Sequence, residues 1–135
     1  MDKDDKERIV SILMELISIP GLSGAEDEVM EYIEERLKGM DISYYEKQGN
    51  IYAIKGEPEF VIATHTDTVP SWGYADAFKP RIEEEAVWGR GAVDTKGQIA
   101  ALLWALRIGE DFFVTFLRDE EEGGSGSEHF CVPSG

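Results

Sequence analysis

The sequence has a single cysteine, Cys131, so it cannot form a disulfide within the chain. It is also poor in basic residues, because 13 lysines and arginines stand against 28 aspartates and glutamates, which gives a net charge of −15. So acidic a chain is repelled by nucleic acids and by anionic membrane surfaces, and we expect neither as a partner. No apolar run approaches the roughly 20 residues that a membrane span needs.

The charged N-terminal residues 1–8 lack the apolar core of a secretory signal. Together with the single cysteine, this predicts a cytoplasmic protein. Hydrophobic residues make up 42% of the 135-residue chain, which argues against disorder despite the high charge. We therefore expect one domain, residues 1–135, built around one hydrophobic core.

Apolar residues at helical spacing predict three helices. The first carries its apolar face on Ile9, Val10, Leu13, Leu16 and Ile17 and ends before Pro20-Gly21. The second is expected to begin at Ser23, which would form a capping box with Glu26, and to end near Gly39. The third covers residues 97–107, with Ile99, Leu102, Leu103 and Leu106 on its apolar side.

Runs of β-prone residues predict strands at residues 51–54, 60–64 and 112–117. The last two are continuous apolar runs, which are typical of strands buried on both faces of a sheet. Residues 71–80 are predicted to form a loop, and residues 82–88 a hairpin that turns at its three glutamates. Helices alternating with buried strands indicate an α/β fold, a three-layer sandwich with a mainly parallel sheet.

Three polar motifs lie at the ends of predicted elements. His65 and Asp67 follow the strand at 60–64 and are two residues apart, so they face the same side of an extended chain. Asp94 lies in a glycine-rich segment before the third helix, and the acidic residues 119–122 follow the last strand. In open α/β sheets, binding sites form where loops leave the carboxyl ends of strands, so we expect these motifs to share a site.

Each motif alone also has a simpler interpretation. A lone His-x-Asp pair is more often an ordinary surface or core histidine, and a run of four carboxylates is usually a solvated loop. Gly89-x-Gly91 suggests phosphate binding, but no third glycine follows at the dinucleotide-fold spacing, and Lys96 is not followed by a hydroxyl residue. A histidine combined with several carboxylates is a ligand mixture that suits zinc or a similar cation.

The order of the motifs is more specific than any one of them. His65-x-Asp67-x-Val69-Pro70, then Gly89-Arg90-Gly91-Ala92-x-Asp94-x-Lys96-Gly97, then Asp119-Glu120-Glu121-x-Gly123 resembles the co-catalytic zinc aminoacylases and carboxypeptidases. That family includes acetylornithine deacetylase, succinyl-diaminopimelate desuccinylase and relatives that act on acylated lysine. The resemblance covers nearly the whole chain. It implies a metal-dependent hydrolase that cleaves the amide of a small-molecule N-acylated amino acid.

The resemblance also implies roles for individual residues. His65 corresponds to a ligand of one of two divalent ions, which are expected to be zinc, with cobalt as an alternative. Asp94 corresponds to the carboxylate that bridges both ions, and Glu121 to a ligand of the second. Glu120 corresponds to the catalytic general base and acid, and Asp67 to the second catalytic residue, which lies beside the metal site. Family members often have a cis peptide bond after the bridging aspartate.

The chain departs from the family pattern in its length. Family members carry a further acidic ligand in a short proline-containing motif, expected here at about residues 133–135, and a histidine ligand near their C-terminus. His129 comes too early to replace that histidine. They also have a lid domain that mediates dimerisation. We therefore expect an incomplete catalytic domain without the lid, a homo-oligomer, and no activity from this chain alone.

The alternative is that the chain is a non-catalytic remnant. Such a remnant would bind metal weakly, or would bind a partner through an exposed edge of its sheet. Robust turnover of N-acetyl amino acids by the purified chain would eliminate this alternative.

Overall fold

The computed structural model describes residues 1–132, in which three main helices pack against a four-stranded sheet. In chain order the elements are α1 (Lys3–Ile17), α2 (Asp27–Gly39), β1 (Tyr44–Lys47), β2 (Asn50–Lys55), β3 (Ile62–His65), β4 (Arg81–Glu83), β5 (Ala86–Trp88), α3 (Lys96–Ala105), a 3-10 turn (Leu106–Ile108), β6 (Phe112–Leu117) and α4 (Ser125–Glu128). None of the helices in this part of the chain has the length and apolar character needed to cross a bilayer.

The first predicted helix is confirmed as α1. It begins with a capping box, in which the carboxylates of Asp2 and Asp5 each accept a hydrogen bond from the other residue's backbone N–H. Its buried face consists of Ile12, Leu16 and Ile17. The capping box satisfies N–H groups that have no partner within the helix, and the apolar face then packs on the core.

The capping box predicted for the second helix is wrong. α2 begins at Asp27, and the preceding Glu26 makes no side-chain capping hydrogen bond. The Ser23 hydroxyl instead donates to the Asp67 carboxylate, at 2.6 Å, and Glu26 accepts from the backbone N–H of Asp119, at 3.0 Å. Both side chains are therefore used in tertiary contacts with residues far along the chain. Gly39 is the last residue of the helix.

The sheet has the strand order β1-β2-β6-β3 and is mixed. β1 with β2 and β2 with β6 are antiparallel, and only β3 with β6 is parallel, so the predicted mainly parallel sheet is wrong for residues 1–132. One cause is local. β1 and β2 are joined by the two residues Gln48 and Gly49, with φ of 52° and 84°, and so short a turn enforces antiparallel pairing.

One apolar core lies between the helices and one face of the sheet. It combines residues of α1, α2 and α3 with Ile51 and Ala53 of β2 and Val114 and Phe116 of β6. On the opposite face of the sheet, the ring of Phe130 packs against the ring of Tyr52, with 6.3 Å between the ring centres. The mixed α/β class is as expected, but the three-layer arrangement is not confirmed in the described part of the chain.

The strand predicted at residues 60–64 differs most from expectation. The strand that forms is β3, Ile62–His65, and it is not buried on both faces, because Ile62 is 38% exposed and Ala63 is exposed. Within residues 1–132, β3 pairs with β6 alone, so it lies at the edge of the sheet. β6 has the same kind of apolar run and is buried as predicted, because strands flank it on both sides.

The remaining predictions of secondary structure are confirmed with small shifts. The strand predicted at 51–54 lies inside β2, and β4 and β5 form the predicted hairpin, with Glu84 and Glu85 in left-handed conformations at its turn. Residues 71–80 contain no helix or strand. The third helix is α3, which continues into the 3-10 turn.

Candidate metal centre

The parallel pairing of β3 with β6 brings two of the three motifs together. His65, the last residue of β3, is in register with Leu117, the last residue of β6. The acidic turn that follows β6 therefore lies beside His65. Asp94 precedes α3 and lies 3.0 Å from His65, measured from Oδ1 to Nε2. One potential ligand atom from each of His65, Asp94 and Glu121 lies within 4.8 Å of the others.

The orientation of the His65 ring is set by Asp67. Nδ1 lies 3.0 Å from the main-chain oxygen of Asp67 and 3.2 Å from its carboxylate, so Nδ1 carries a proton and donates it to these oxygens. Nε2 then faces Asp94 and, at 3.5 Å, Glu120. A histidine whose second ring nitrogen donates to a carboxylate is the usual arrangement of a metal-binding imidazole.

The carboxylates around His65 favour its charged form. The hydrogen bond with Asp67 is the main cause that raises the pKa of His65 from 6.5 to about 9, with a further contribution from Asp94, although partial burial acts in the opposite direction. The ion-free imidazole is therefore protonated at neutral pH. Because a metal needs the unprotonated nitrogen, a cation held at Nε2 would take the place of that proton.

For Glu121 the neighbouring carboxylates disfavour the charged form. Burial, together with the negative charges of Asp94 and Glu120, raises the pKa of the Glu121 carboxyl. Several carboxylates thus crowd around one imidazole, and the negative charges of its neighbours disfavour ionisation of Glu121. A divalent cation among them would relieve this repulsion.

Asp67, in contrast to Glu121, remains ionised. Its side chain is fully buried, which by itself raises the pKa, but hydrogen bonds from His65, from the Ser23 hydroxyl and from the backbone N–H groups of Glu121 and Glu120 outweigh burial and lower the pKa well below the usual range. A carboxylate that accepts several hydrogen bonds is stabilised in its charged form. Asp67 is thus a fixed negative charge behind the histidine.

The donor set fits a divalent metal. Zinc binds imidazole nitrogen and carboxylate oxygen at about 2.0–2.2 Å, so two ligand atoms on one ion lie up to about 4 Å apart. The His65, Asp94 and Glu121 atoms are close to that spacing. A second acidic group, Glu26, Asp67 and Asp119, also converges, but its carboxylates accept hydrogen bonds from protein N–H and hydroxyl groups and are already occupied.

Sequence reasoning missed several residues that support the site. Thr64 and Thr95 join β3 to the Asp94 turn through a 2.9 Å hydrogen bond between their hydroxyls. The buried Lys96 amine donates to the main-chain oxygen of Ile19 at 2.5 Å, and burial lowers the pKa of Lys96 to about 8. No local pattern marks such contacts, because their partners lie far away in sequence. The peptide bond between Asp94 and Thr95 is cis, as expected.

A cavity of about 610 Å³ opens beside two of the three candidate ligand residues. Asp94 and Glu121 border it on one side, and its other walls include Trp72 and Trp88. The Arg90 guanidinium, which also lines the cavity, lies 5.5 Å from the centre of the Trp72 ring. This volume lies in the usual range for small-ligand sites, and polar groups at one end with apolar walls are typical of them.

Comparison with known proteins identifies relatives. Residues 61–133 match the model of peptidase family M20/M25/M40. The chain is 39% identical over 136 residues to a proposed LysW-lysine/LysW-ornithine hydrolase of Pyrococcus abyssi, in an alignment that covers 97% of this chain and 38% of that protein. It is 32% identical to a succinyl-diaminopimelate desuccinylase of Nautilia profundicola, over 85% of this chain and 34% of that protein.

A solved structure shares the fold. The aminopeptidase PepT from Bacillus cereus superposes with a TM-score of 0.78 at 19% sequence identity, over 93% of this chain and 39% of that one. At this identity the similarity concerns the fold alone. The chain spans less than two fifths of the length of the two curated relatives above.

Proposed function

The chain belongs to peptidase family M20/M25/M40, and on that premise we propose that residues 1–135 are the N-terminal part of the catalytic domain of a metal-dependent amidohydrolase. The reaction would convert an N-acylated amino acid and water into a carboxylate and a free amino acid. One observation carries the proposal: ligand atoms of His65, Asp94 and Glu121 approach within 4.8 Å of one another beside a further carboxylate, Glu120.

Two divalent ions, zinc in our proposal and cobalt as the alternative, would supply Lewis-acid chemistry that acidifies water and polarises the amide carbonyl. His65 would hold one ion through Nε2, and Glu121 would hold the other. Asp94 would be shared by both ions, because its side chain is 71% exposed and its Oδ1 already lies 3.0 Å from His65 Nε2. The mixture of one imidazole and two carboxylates supports zinc or a similar divalent cation.

Glu120 is the general base and acid in this proposal. Its side chain is 52% exposed and lies 3.5 Å from His65 Nε2, so it can meet water and substrate beside the metal centre. It takes a proton from the attacking water as the new bond to the amide carbon forms, and it delivers that proton to the amide nitrogen as the C–N bond breaks. Asp67 is buried and fully hydrogen-bonded, so its catalytic role is to orient His65 rather than to exchange protons with the substrate.

We propose a small N-acyl amino acid as the substrate, with its scissile amide at the Asp94 and Glu121 end of the cavity. The relative from Pyrococcus abyssi is named for lysine and ornithine, which favours a basic amino acid as the amine product. The net charge of −15 supports the same choice, because an acidic protein attracts cationic ligands. The acyl group of the proposed substrate is left open, and acetyl, succinyl and larger acyl groups all fit the proposal.

We further propose that the 135-residue chain is inactive by itself. Three ligands cannot complete two four-coordinate sites, so metal affinity should be weak, with water filling the remaining positions. The relatives are more than twice as long as the chain and have room for further ligands and a lid. We propose that a protein with the full length of the relatives would be the active form and a cytoplasmic homo-oligomer.

Zinc titration of the purified chain tests this function. We expect one or more weak zinc sites that disappear in His65→Ala, because the only imidazole of the cluster is lost. His129→Ala is the matched control, since His129 is the other histidine of the chain and is exposed, and it should bind zinc like the wild type. Equal zinc binding by His65→Ala and the wild type would contradict the proposed centre.

The exposed sheet edge favours a second candidate function, which is binding of a protein strand. Within residues 1–132, β3 has a neighbour on one side only, and a cavity of about 590 Å³ with apolar residues such as Leu102 lies between β3 and α3. An edge of this kind can accept a strand from another copy of the chain.

Analytical ultracentrifugation tests this candidate. We expect the wild-type chain to self-associate with rising concentration and Ala63→Lys, which places a charge on the exposed edge, to associate less. Ala86→Lys on the exposed strand β5 is the control and should behave like the wild type. A wild-type chain that stays monomeric at all concentrations would remove this candidate.

A further inference from the structure

The turn that carries Glu120 and Glu121 is held by an unusual set of hydrogen bonds. Four consecutive backbone N–H groups donate to side-chain oxygens: Arg118 to Asn50 at 3.2 Å, Asp119 to Glu26 at 3.0 Å, and Glu120 and Glu121 to the two oxygens of Asp67 at 2.9 and 3.0 Å. The acceptor residues Asn50, Glu26 and Asp67, which we call the cradle, are all 0% exposed. They come from three separate parts of the chain.

Glu26 has no counterpart in the catalytic scheme above. A carboxylate shielded from water is costly unless protein donors replace its hydration. Glu26 has three such donors: the backbone N–H of Gly24 at 3.0 Å, the backbone N–H of Asp119 at 3.0 Å, and the Arg118 guanidinium at 3.4 Å. It therefore ties its own loop to the turn that follows β6.

The shape of the turn explains why it needs such support. Asp119 has a φ of 54°, in the left-handed region that residues other than glycine seldom adopt. The chain therefore leaves the ladder of β6 abruptly, and the next N–H groups have no strand or helix to accept them. The Asp119 carboxylate holds the far side of the turn by accepting from the Gly123 N–H at 3.2 Å and the Ser125 hydroxyl at 3.0 Å.

We propose that Glu26 is a positioning residue for the metal centre. By holding the Asp119 amide it fixes the direction in which the chain continues, and so the directions from which Glu120 and Glu121 approach His65. This inference rests on the proposed function, because it gives Glu26 a role toward those two carboxylates. Asn50 supports the same turn from β2, where its amide nitrogen also donates to the main-chain oxygen of Gly126 at 2.9 Å.

Glu26→Gln tests the proposal at nearly constant side-chain size. The amide places a donor where an oxygen now accepts hydrogen bonds, so the Asp119 and Arg118 contacts cannot both be kept. We expect zinc affinity to fall about tenfold or more, as for other groups that orient metal ligands. We also expect faster hydrogen exchange at the amides of residues 119–121, measured by NMR on the ion-free chain. Glu31→Gln, on the exposed side of α2, is the matched control and should change neither quantity.

The two readouts separate the possible failures. Unchanged zinc affinity in a folded Glu26→Gln chain would overturn the positioning role. If the wild type binds no zinc but Glu26→Gln still speeds exchange at residues 119–121, the proposed function fails while the hold of Glu26 on the turn is supported. Should Glu26→Gln not fold, the wild type alone decides, because rapid exchange of its Asp119 amide would overturn the proposal.

Discussion

The apolar core and the cradle are equally shielded from water but differ in chemistry. Ile33, Val114 and Phe116 in the core are 0% exposed, as are the cradle residues Asn50, Glu26 and Asp67. Apolar burial stabilises in proportion to area and specifies little about direction. Buried hydrogen bonds add little net stability but require defined distances and angles. The core therefore determines whether the chain folds, and the cradle determines where the acidic turn points.

Truncation of a core side chain should give the largest effect on stability. Phe116→Ala removes a fully buried ring between the helices and the sheet, and we expect it to lower the free energy of unfolding by about 3–5 kcal/mol. Urea denaturation measures the change. Ile82→Ala is the control, because Ile82 is 59% exposed, and it should cost less than about 0.5 kcal/mol. A loss below about 1 kcal/mol for Phe116→Ala would contradict the assigned core.

Neutralising a cradle residue should instead affect the site. Asp67→Asn removes the main cause of the raised pKa of His65, so we expect that pKa to fall clearly below the wild-type value of about 9 in an NMR titration of the ion-free chain. Zinc affinity should fall about 10- to 100-fold. Asp76→Asn, at an exposed loop position, is the control. A His65 pKa that stays at the wild-type value in Asp67→Asn would show that another group raises it.

The raised pKa of His65 also predicts how zinc binding depends on pH. In the ion-free chain, the stability that protonated His65 contributes is full below about pH 6.5 and is lost as pH rises through about 9. Zinc must displace this proton, so its apparent affinity should rise by about tenfold per pH unit between pH 7 and 9 and then level off. Zinc titrations across this range measure the slope, and a flat profile would contradict binding at His65.

Removing a surface charge should have the smallest effect on stability and on zinc affinity. It therefore gives a reference for the effects expected in the core and in the cradle. Glu7 pairs with Lys3 at 3.8 Å on the exposed side of α1. Exposed pairs of this kind contribute about 0–1 kcal/mol, so Glu7→Gln should leave the unfolding midpoint almost unchanged and zinc affinity unaltered. If Glu7→Gln lowered the free energy of unfolding as much as Phe116→Ala does, the N-terminal helix would be held by charge rather than by its apolar face.

Most of the secondary structure could be predicted because its signals are local. The spacing of apolar residues marked α1, α2 and α3, and the run at residues 112–117 marked β6. The failure at residues 60–64 is instructive, because this run is as apolar as β6 but forms the exposed edge strand β3. A run of apolar residues reports hydrophobicity, whereas burial depends on whether another strand lies alongside.

In the candidate site, too, some features follow from local sequence patterns and others from tertiary contacts. Motif order pointed to His65, Asp94 and Glu121, and their approach in space follows from the parallel pairing of β3 and β6 together with the position of Asp94 before α3. The roles of these residues stay predictions until metal binding is measured. For Ser23 and Glu26, in contrast, the local pattern suggested a helix cap, and the actual partners lie 44 and 93 residues away.

The sequence alone determined the family resemblance, the helices, most strands and the candidate ligands, because each depends on residue type and short-range spacing. Only the tertiary structure decided the antiparallel pairing of β2 with β6, the exposed edge and the cradle beneath the acidic turn. Hydrogen bonds between distant segments form only when the whole chain has folded, and no local pattern encodes the distances and angles that they require.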